Sequence, residues 1–282
     1  MKEPSAVTPS RGPRDEVSSV GARMSFGELF ATYPNLVRAI SLIIFLCVWE
    51  FVGRRMDPIF MTYPVAVFKA AVGLIASGEL LRGLIQSFVP FAIGMVISIV
   101  GGVAIGLAMG ISRVFEYAVD PYVNALNAIP RVALVPLVIL WCGLGILAKI
   151  VIIVSVAIFP IIINTYSGVR DVRGVLLDVG NAYSATRWQT LRWIILPSAL
   201  PFIMAGIRLG LGLGIIGMIV AEFFTAINGL GGIIVEYGNT FQTAKMFVAI
   251  FVVGIMGVVM SEMAMALERR WASWRVSERN RE

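Results

Sequence analysis

The chain has 282 residues, of which 58% are hydrophobic and 14% are charged, and its mean hydropathy is +0.87. Because soluble domains carry about 25% charged residues, this composition excludes an ordinary soluble protein and indicates an integral membrane protein. The net charge of +6 resides in tails and loops beside apolar segments, where orientation signals of membrane proteins stand, so no nucleic-acid partner is expected.

Two residue types limit the chemistry of the chain. It contains no histidine, which excludes histidine proton relays, haem-ligating histidines and histidine zinc sites. Cys47 and Cys142 both lie in apolar runs and have neither metal-ligand spacing nor a disulfide framework. No catalytic, metal or cofactor site is therefore predicted in this chain.

The chain begins with a polar segment, residues 1–34, that carries both charge signs and little periodicity. This composition predicts a flexible tail. The first apolar run, at 39–53, comes too late for a cleavable signal peptide and ends at Arg54 and Arg55. It predicts an uncleaved membrane helix.

Six membrane spans are predicted, because about 20 apolar residues cross the hydrocarbon core. The run after residue 116 is too long for one crossing, and WCGLG at 141–145 divides it. A further segment, 61–81, is predicted as an amphipathic helix on the outer surface. The predicted spans are 35–53, 87–110, 116–141, 146–167, 201–221 and 246–267, within a membrane domain of residues 35–268.

The distribution of arginines predicts the orientation. The connection 168–200 and the tail 269–282 are rich in arginine, whereas 142–148 and 223–244 carry no lysine or arginine. The positive-inside rule places the 168–200 loop and both termini in the cytoplasm. The predicted first external connection goes against this rule, since it contains Arg54, Arg55, Lys69 and Arg82.

Several residues within the predicted spans have two interpretations. Glycines at 102, 106 and 110, and again at 206, 210 and 214, allow close helix packing or helix sliding. Prolines in the third span leave backbone carbonyls without a hydrogen-bond partner. Either the span is a kinked helix that packs against its neighbours, or it lines a transport pathway. Arg208 attracts an anion or pairs with a carboxylate, and Glu222 is expected at a hydrated outer helix end. The candidate pathway residues are Asn124, Asn127, Pro130, Pro136, Arg208 and Glu222.

The stretch 176–201 is polar and basic although apolar spans stand on both sides. Thr186 and Gln189 form a capping box, which predicts a helix from Arg187 to about Leu196, and Pro197 marks the bend into the fifth span. The segment 174–183 predicts a preceding short helix. Such a pair of helices would rest on the membrane surface or form a docking knob for a soluble partner.

This stretch resembles the cytoplasmic coupling loop of ABC importer permeases, whose pattern is Glu-Ala-Ala, three residues, Gly, nine residues, Ile, one residue, Leu-Pro. Asp178, Val179 and Gly180 fall on Glu-Ala-Ala, and Ser184 falls on the glycine. A serine there places a Cβ at a turn with positive φ, at a cost of about 1 kcal/mol. The loop residues that the resemblance implies are Asp178, Val179, Gly180, Ala182, Tyr183, Ser184, Ala185, Thr186, Arg187, Ile194, Leu196 and Pro197.

Further runs, NAIPRVALVPLVILWCGLG, FPIIINTYSGVRDV and GIRLGLGLGIIGMIVAEF, are similar to permeases of the nitrate/sulfonate/taurine group. The resemblance implies an all-α type I ABC importer permease in the bacterial inner membrane, not itself an enzyme, for a small anion such as nitrate, taurine or an alkanesulfonate. It also implies cytoplasmic ATPase subunits that use ATP and Mg²⁺, an external binding protein and a second copy of the chain. No phosphate-binding Gly-x-x-x-x-Gly-Lys-Ser/Thr motif occurs here.

Three alternatives remain. A permease of the same fold for another small organic nutrient has the same features. A stand-alone secondary transporter would need ionisable coupling sites at mid-membrane and often carries inverted repeats. A membrane enzyme would need clustered nucleophiles, acids or metal ligands.

Overall fold

The computed structural model describes residues 34–225 and 228–271, and every regular element in these ranges is helical. By their contacts, the described residues divide into two units, the first ending at Val48 and the second beginning at Trp49. Helix α1 (Pro34–Arg55) begins in the first unit and ends in the second. Its apolar side chains at 42–45 are 58% to 62% exposed, as expected of a helix that faces lipid.

The remaining elements belong to the second unit. They are α2 (Pro64–Ala76), α3 (Glu79–Ile111), α4 (Arg113–Ala128), a 3-10 turn (Arg131–Leu134), α5 (Val135–Cys142), α6 (Ile146–Arg170), α7 (Gly174–Ala182), α8 (Arg187–Thr225), α9 (Gly229–Asn239) and α10 (Thr243–Trp271).

The prediction of an all-helical, multi-span membrane protein is confirmed. Among the described residues, five helices are long and apolar enough to cross a membrane, namely α1, α3, α6, α8 and α10. Each contains one predicted span and extends beyond it. The largest extension is in α8, which begins at Arg187 instead of near residue 201.

The predicted third span is two helical segments that meet at 91°. The helix before Pro130 ends at Ala128, and Ile129 has an extended backbone (φ −70°, ψ 132°). Proline disfavours helical backbone in the residue that precedes it, so the bend lies directly before Pro130. With this pair counted as one span, the described residues form up to six spans. The span predicted over 116–141 is then a broken one, formed by Arg113–Ala128 and Arg131–Cys142.

The structure adds detail to two segments that were predicted near the surface. The predicted outer-surface helix corresponds to α2, but Val67 and Leu74 of α2 are buried against α9 and α10, so protein covers part of its apolar side. The predicted tail from residue 269 starts as helix, since α10 continues to Trp271. Residues 1–33 and 272–282, which carry the rest of both predicted tails, lie outside the described residues.

Helix α6 lies between α3 and α8 and forms the centre of the core. Its Ile153, Ala157 and Ile161 pack with Phe91 of α3 and Met218 of α8. All five side chains are at most 2% exposed. The core therefore runs along one face of each of three long helices.

The predicted glycine stripes lie at these contacts. A Cβ at Gly106 would lie 2.6 Å from Cβ of Thr165, and a Cβ at Gly210 would lie 3.0 Å from the carbonyl oxygen of Ala157. Only a residue without a side chain allows these helix backbones to approach so closely. The interpretation of the stripes as packing surfaces is confirmed.

Candidate functional site

The connection between α6 and α8 contains the predicted coupling loop. Helix α7 ends at Ala182, where the Ala185 N–H donates to the Gly180 carbonyl (2.9 Å) and the Ser184 N–H donates to the Asn181 carbonyl (2.9 Å). These two bonds define a Schellman motif, which places the residue after the C-cap in the left-handed region. Ser184 is that residue and has φ +54°, as predicted from its place at the family's glycine.

The capping box predicted for the next helix is present. The Gln189 N–H donates to Oγ1 of Thr186 (3.3 Å), and the Thr186 N–H donates to Oε1 of Gln189 (2.8 Å). The helix begins at Arg187. The first short helix, the turn and the start of the second helix at Arg187 are therefore confirmed.

The second loop helix does not stop at Pro197 as predicted. Residues Leu191–Ile195 form a π-helical segment, in which the Leu196 N–H bonds to the Leu191 carbonyl, and the helix continues through Pro197. A proline has no N–H and its ring crowds the preceding turn, and a widened π turn is one way in which helices accommodate such a defect. The loop is thus continuous with the long helix behind it.

In a regular helix, Trp188, Leu191 and Ile195 would share one apolar face by their spacing, but the π segment separates them. Trp188 is 67% exposed, whereas Leu191 is half-buried and Ile195 packs on the core of α6 and α8. The widened turn breaks the regular spacing on which the shared face depended. Trp188 therefore belongs to the surface of the loop and Ile195 to its base.

The loop has a packed base and an exposed crown. At the base, a Cβ at Gly180 would lie 2.9 Å from Cδ1 of Ile194, so α7 lies directly against the π segment. The crown comprises large exposed side chains and the exposed Asp178, which has no ion-pair partner among the described residues. The large crown residues are Val175, Val179, Tyr183, Trp188 and Trp193.

The predicted pathway residues near the 91° bend use their polar groups locally. Nδ2 of Asn124 donates to Oδ2 of Asp120 (2.8 Å), and the Arg131 guanidinium donates to the side-chain and backbone oxygens of Asn127. All four predicted residues here are exposed in the single chain. They are Asn124, Asn127, Pro130 and Pro136.

Arg208 of α8 pairs with Glu268 of α10, through Nη2 and Oε2. Of the two interpretations that the sequence leaves open, the structure supports pairing with a carboxylate.

Glu222, near the end of α8, is not at a hydrated helix end as predicted, because its side chain is 0% exposed. The Ser87 hydroxyl donates to its Oε1 (2.7 Å), and the Gly231 N–H donates to its Oε2 (2.8 Å). The ammonium of Lys149 lies 3.5 Å from Oε1. Helix α9 covers this end of α8 and excludes water from the carboxylate.

This cluster holds the start of α9. The first N–H groups of a helix have no partner within the helix, and here three side chains from other elements accept them. Gln86 accepts from the Gly229 N–H (3.0 Å), Ser87 from the Leu230 N–H (2.8 Å), and Glu222 from the Gly231 N–H. A carboxylate at this position also interacts favourably with the helix dipole.

The other end of α9 is held by Tyr237. Its hydroxyl donates to the Glu79 carboxylate at 2.8 and 3.0 Å. Burial, followed by this hydrogen bond, raises the pKa of Tyr237 to about 12, so the side chain remains a neutral donor at physiological pH.

Sequence reasoning did not find Ser87, Lys149 or Asn228. Lys149 nevertheless left a signal, because it is one lysine near the start of an otherwise apolar predicted span, and charge within a membrane segment often marks function. Its partners, Asn228 and Glu222, could not be identified from the sequence, because both are distant along the chain and Asn228 lies 79 residues away.

The sequence of this chain is similar to those of known membrane transport proteins. The profile of the family described as binding-protein-dependent transport system inner membrane component matches residues 98–273. The aliphatic sulfonates transport permease SsuC of Bacillus subtilis is 33% identical over 83% of this chain and 86% of its own length. The taurine transport system permease TauC of Escherichia coli is 28% identical over 83% of this chain and 88% of its own length.

The fold is also similar to a solved structure. A chain of the MetNI methionine ABC transporter, in an inward facing conformation, aligns with a TM-score of 0.57 at 21% identity, over 70% of this chain and 95% of that chain. The resemblance to the sulfonate and taurine permeases and to the type I importer fold is confirmed. The chain belongs to the family of inner membrane components of binding-protein-dependent transport systems, as a membrane subunit of an ABC transporter.

Proposed function

We propose that this chain is the permease subunit of an ATP-driven importer in the bacterial cytoplasmic membrane, with both termini in the cytoplasm. Its loop 174–197 docks on a cytoplasmic ABC ATPase that binds ATP and Mg²⁺. An external binding protein delivers a small organic anion, and a second copy of the chain completes the pathway.

The observation that carries this proposal is the structure of loop 174–197. A Schellman motif at Ser184 and a capping box at Thr186 make the loop rigid, and its crown of large apolar side chains is exposed. Exposed aromatic side chains beside a charged residue are typical of binding surfaces. The π segment joins the crown to α8 without a break, so a rotation of the docked ATPase would move α8 as a rigid body.

The proposed substrate class rests on the relatives. The permeases SsuC and TauC are named for aliphatic sulfonates and taurine, which are small organic solutes with a sulfonate group. Nitrate is the other anion in the name of this group of permeases. It carries a negative charge, as sulfonates do, but it has no aliphatic part.

We also propose that the bend at Pro130 lines the pathway. Its asparagines and prolines are exposed in the single chain, and they are therefore available to face the pathway between two copies. Arg208 and Glu222 have other roles in this proposal, since each is engaged by a partner within the chain.

The test is purification of the tagged chain from its native membranes in mild detergent, followed by mass spectrometry. We expect an ABC ATPase to co-purify with the unaltered chain and to be lost from Asp178→Lys, which reverses the charge on the crown. The matched control is Asp171→Lys, an exposed aspartate of the same connection outside the crown. It should retain the ATPase.

Retention of the ATPase by Asp178→Lys would contradict docking through the crown. Recovery of the intact chain without any ATPase would contradict the importer and favour an autonomous secondary transporter.

A further inference from the structure

A cavity of about 330 Å³, open to the surface and lined mostly by exposed side chains, lies beside the buried cluster, where the first half of α3, the turn before α6 and the start of α9 meet. This volume is at the lower end of the range for ligand sites, about 300–1,000 Å³. Its wall has an apolar part and a polar part. The apolar part includes Ile85, Val89 and Leu144, and the polar part consists of Gln86, Lys149 and Asn228.

The orientation of both amides is determined by their partners. The Gly229 N–H and the Lys149 ammonium are donors only, so the amide groups must present their oxygens to them. Accordingly, Oε1 of Gln86 accepts from the Gly229 N–H (3.0 Å), and Oδ1 of Asn228 accepts from Nζ of Lys149 (2.5 Å). The amide hydrogens of both side chains have no acceptor in the described part of the chain, so they remain available to a ligand.

Lys149 adds a cation to this wall. Its side chain is 6% exposed and, besides Asn228, it interacts with Glu222. The Glu222 carboxylate already accepts from Ser87 and Gly231 and is not part of the cavity wall. Lys149 thus stands between the carboxylate and the cavity, and no carboxylate lines the cavity among the described residues.

We propose that this cavity binds a small aliphatic oxyanion, with its sulfonate or carboxylate group on Lys149, Gln86 and Asn228 and its hydrocarbon part on the apolar wall. The amide NH₂ groups of Gln86 and Asn228 are the donors left free at its polar end, with the Lys149 ammonium beside them. Oxyanions accept such hydrogen bonds strongly, above all from charged donors. The inference rests on the proposed function, because it locates part of the specificity for a small organic anion in the permease itself.

The test measures binding of radiolabelled 1-butanesulfonate to the full chain in lipid nanodiscs, by equilibrium dialysis without a binding protein. We expect saturable binding that unlabelled butanesulfonate displaces and butylammonium does not. Gln86→Glu and Asn228→Asp each keep the oxygen that accepts the structural hydrogen bond and place a like charge beside the anion. We expect each variant to weaken binding by about tenfold or more.

The matched control is Asn239→Asp, the same change at the exposed far end of α9, which should bind as the unaltered chain does. Unchanged binding in both pocket variants, equal displacement by butylammonium, or no saturable binding to the unaltered chain would each overturn the proposal. Co-purification of the ATPase is measured separately, so the pocket can fail while the importer function stands.

Discussion

Ser184 holds a backbone conformation that a side chain disfavours. Its φ of +54° is required by the two Schellman hydrogen bonds at the end of α7, and a Cβ in the left-handed region costs about 1–2 kcal/mol. The loop tolerates this cost because the bonds from Ser184 and Ala185 satisfy carbonyls that would otherwise lack a partner.

Ser184→Gly should therefore stabilise the loop. We expect a net gain of up to about 1 kcal/mol, because relief of the Cβ contact is partly offset by the greater freedom of glycine in the unfolded chain. The measurement is hydrogen–deuterium exchange of the peptide 180–190, which should slow, together with transport-coupled ATP hydrolysis, which should be equal or higher.

The control for this variant is Ala182→Gly, at the last helical position of α7, where glycine costs about 1 kcal/mol. It should exchange faster. Faster exchange in Ser184→Gly would show that the serine side chain contributes an interaction to the turn.

At the scale of elements, the close packing of α3 on α6 depends on individual glycines, which lack the Cβ of every other residue. At Gly106 a Cβ would meet Cβ of Thr165 at 2.6 Å and the Ile162 carbonyl oxygen at 2.7 Å, and neither the carbonyl nor the β-branched Cβ can move independently of α6. At Gly101 in the same helix, a Cβ would meet only Cδ1 of Ile158, at an ordinary 3.6 Å.

Gly106→Ala should lower the free energy of unfolding by about 1–3 kcal/mol, the usual cost of overpacking. Gly101→Ala serves as the matched control and should be neutral or slightly stabilising, because alanine favours helix. Thermal unfolding of both variants in the same detergent checks this. Equal unfolding temperatures would contradict the proposed closeness of α3 and α6 at Gly106.

The N-terminal cap of helix α9 is supplied by residues outside its own sequence. Three successive N–H groups at its start bond to Gln86, Ser87 and Glu222, which come from α3 and α8. Two of these bonds join residues 143 positions apart. The capping box at Thr186 was predictable because its partner is three residues away, whereas the cap of α9 depends on packing.

At the scale of the molecule, α8 connects the two candidate sites. Ile194, under the crown of the loop, and Glu222, in the buried cluster, lie about 40 Å apart along this one helix at 1.5 Å per residue. The loop and the cavity are therefore at opposite ends of α8, as expected if one faces the ATPase and the other faces the outside.

This arrangement predicts opposite accessibility of two surface positions. In a chain with Cys47→Ala and Cys142→Ala, we introduce Tyr183→Cys on the crown or Asn239→Cys at the end of α9, both exposed positions. A membrane-impermeant maleimide should label Asn239→Cys in right-side-out vesicles and Tyr183→Cys only in inside-out vesicles. Labelling of Tyr183→Cys from the outside would reverse the proposed orientation.

The sequence by itself determined the class of the protein, its long helices and the local turns of its loop. Apolar runs and the capping box depend on residues close together in the chain, and their physics is readable there. The positive φ of Ser184 was implied by the resemblance to the coupling loop. Only the tertiary structure decided the angle of 91° between the helices on either side of Pro130, the continuation of α8 through Pro197 and the burial of Glu222. It also decided that Lys149 lines a cavity, because burial, ion pairing and cavity shape arise only when distant segments meet.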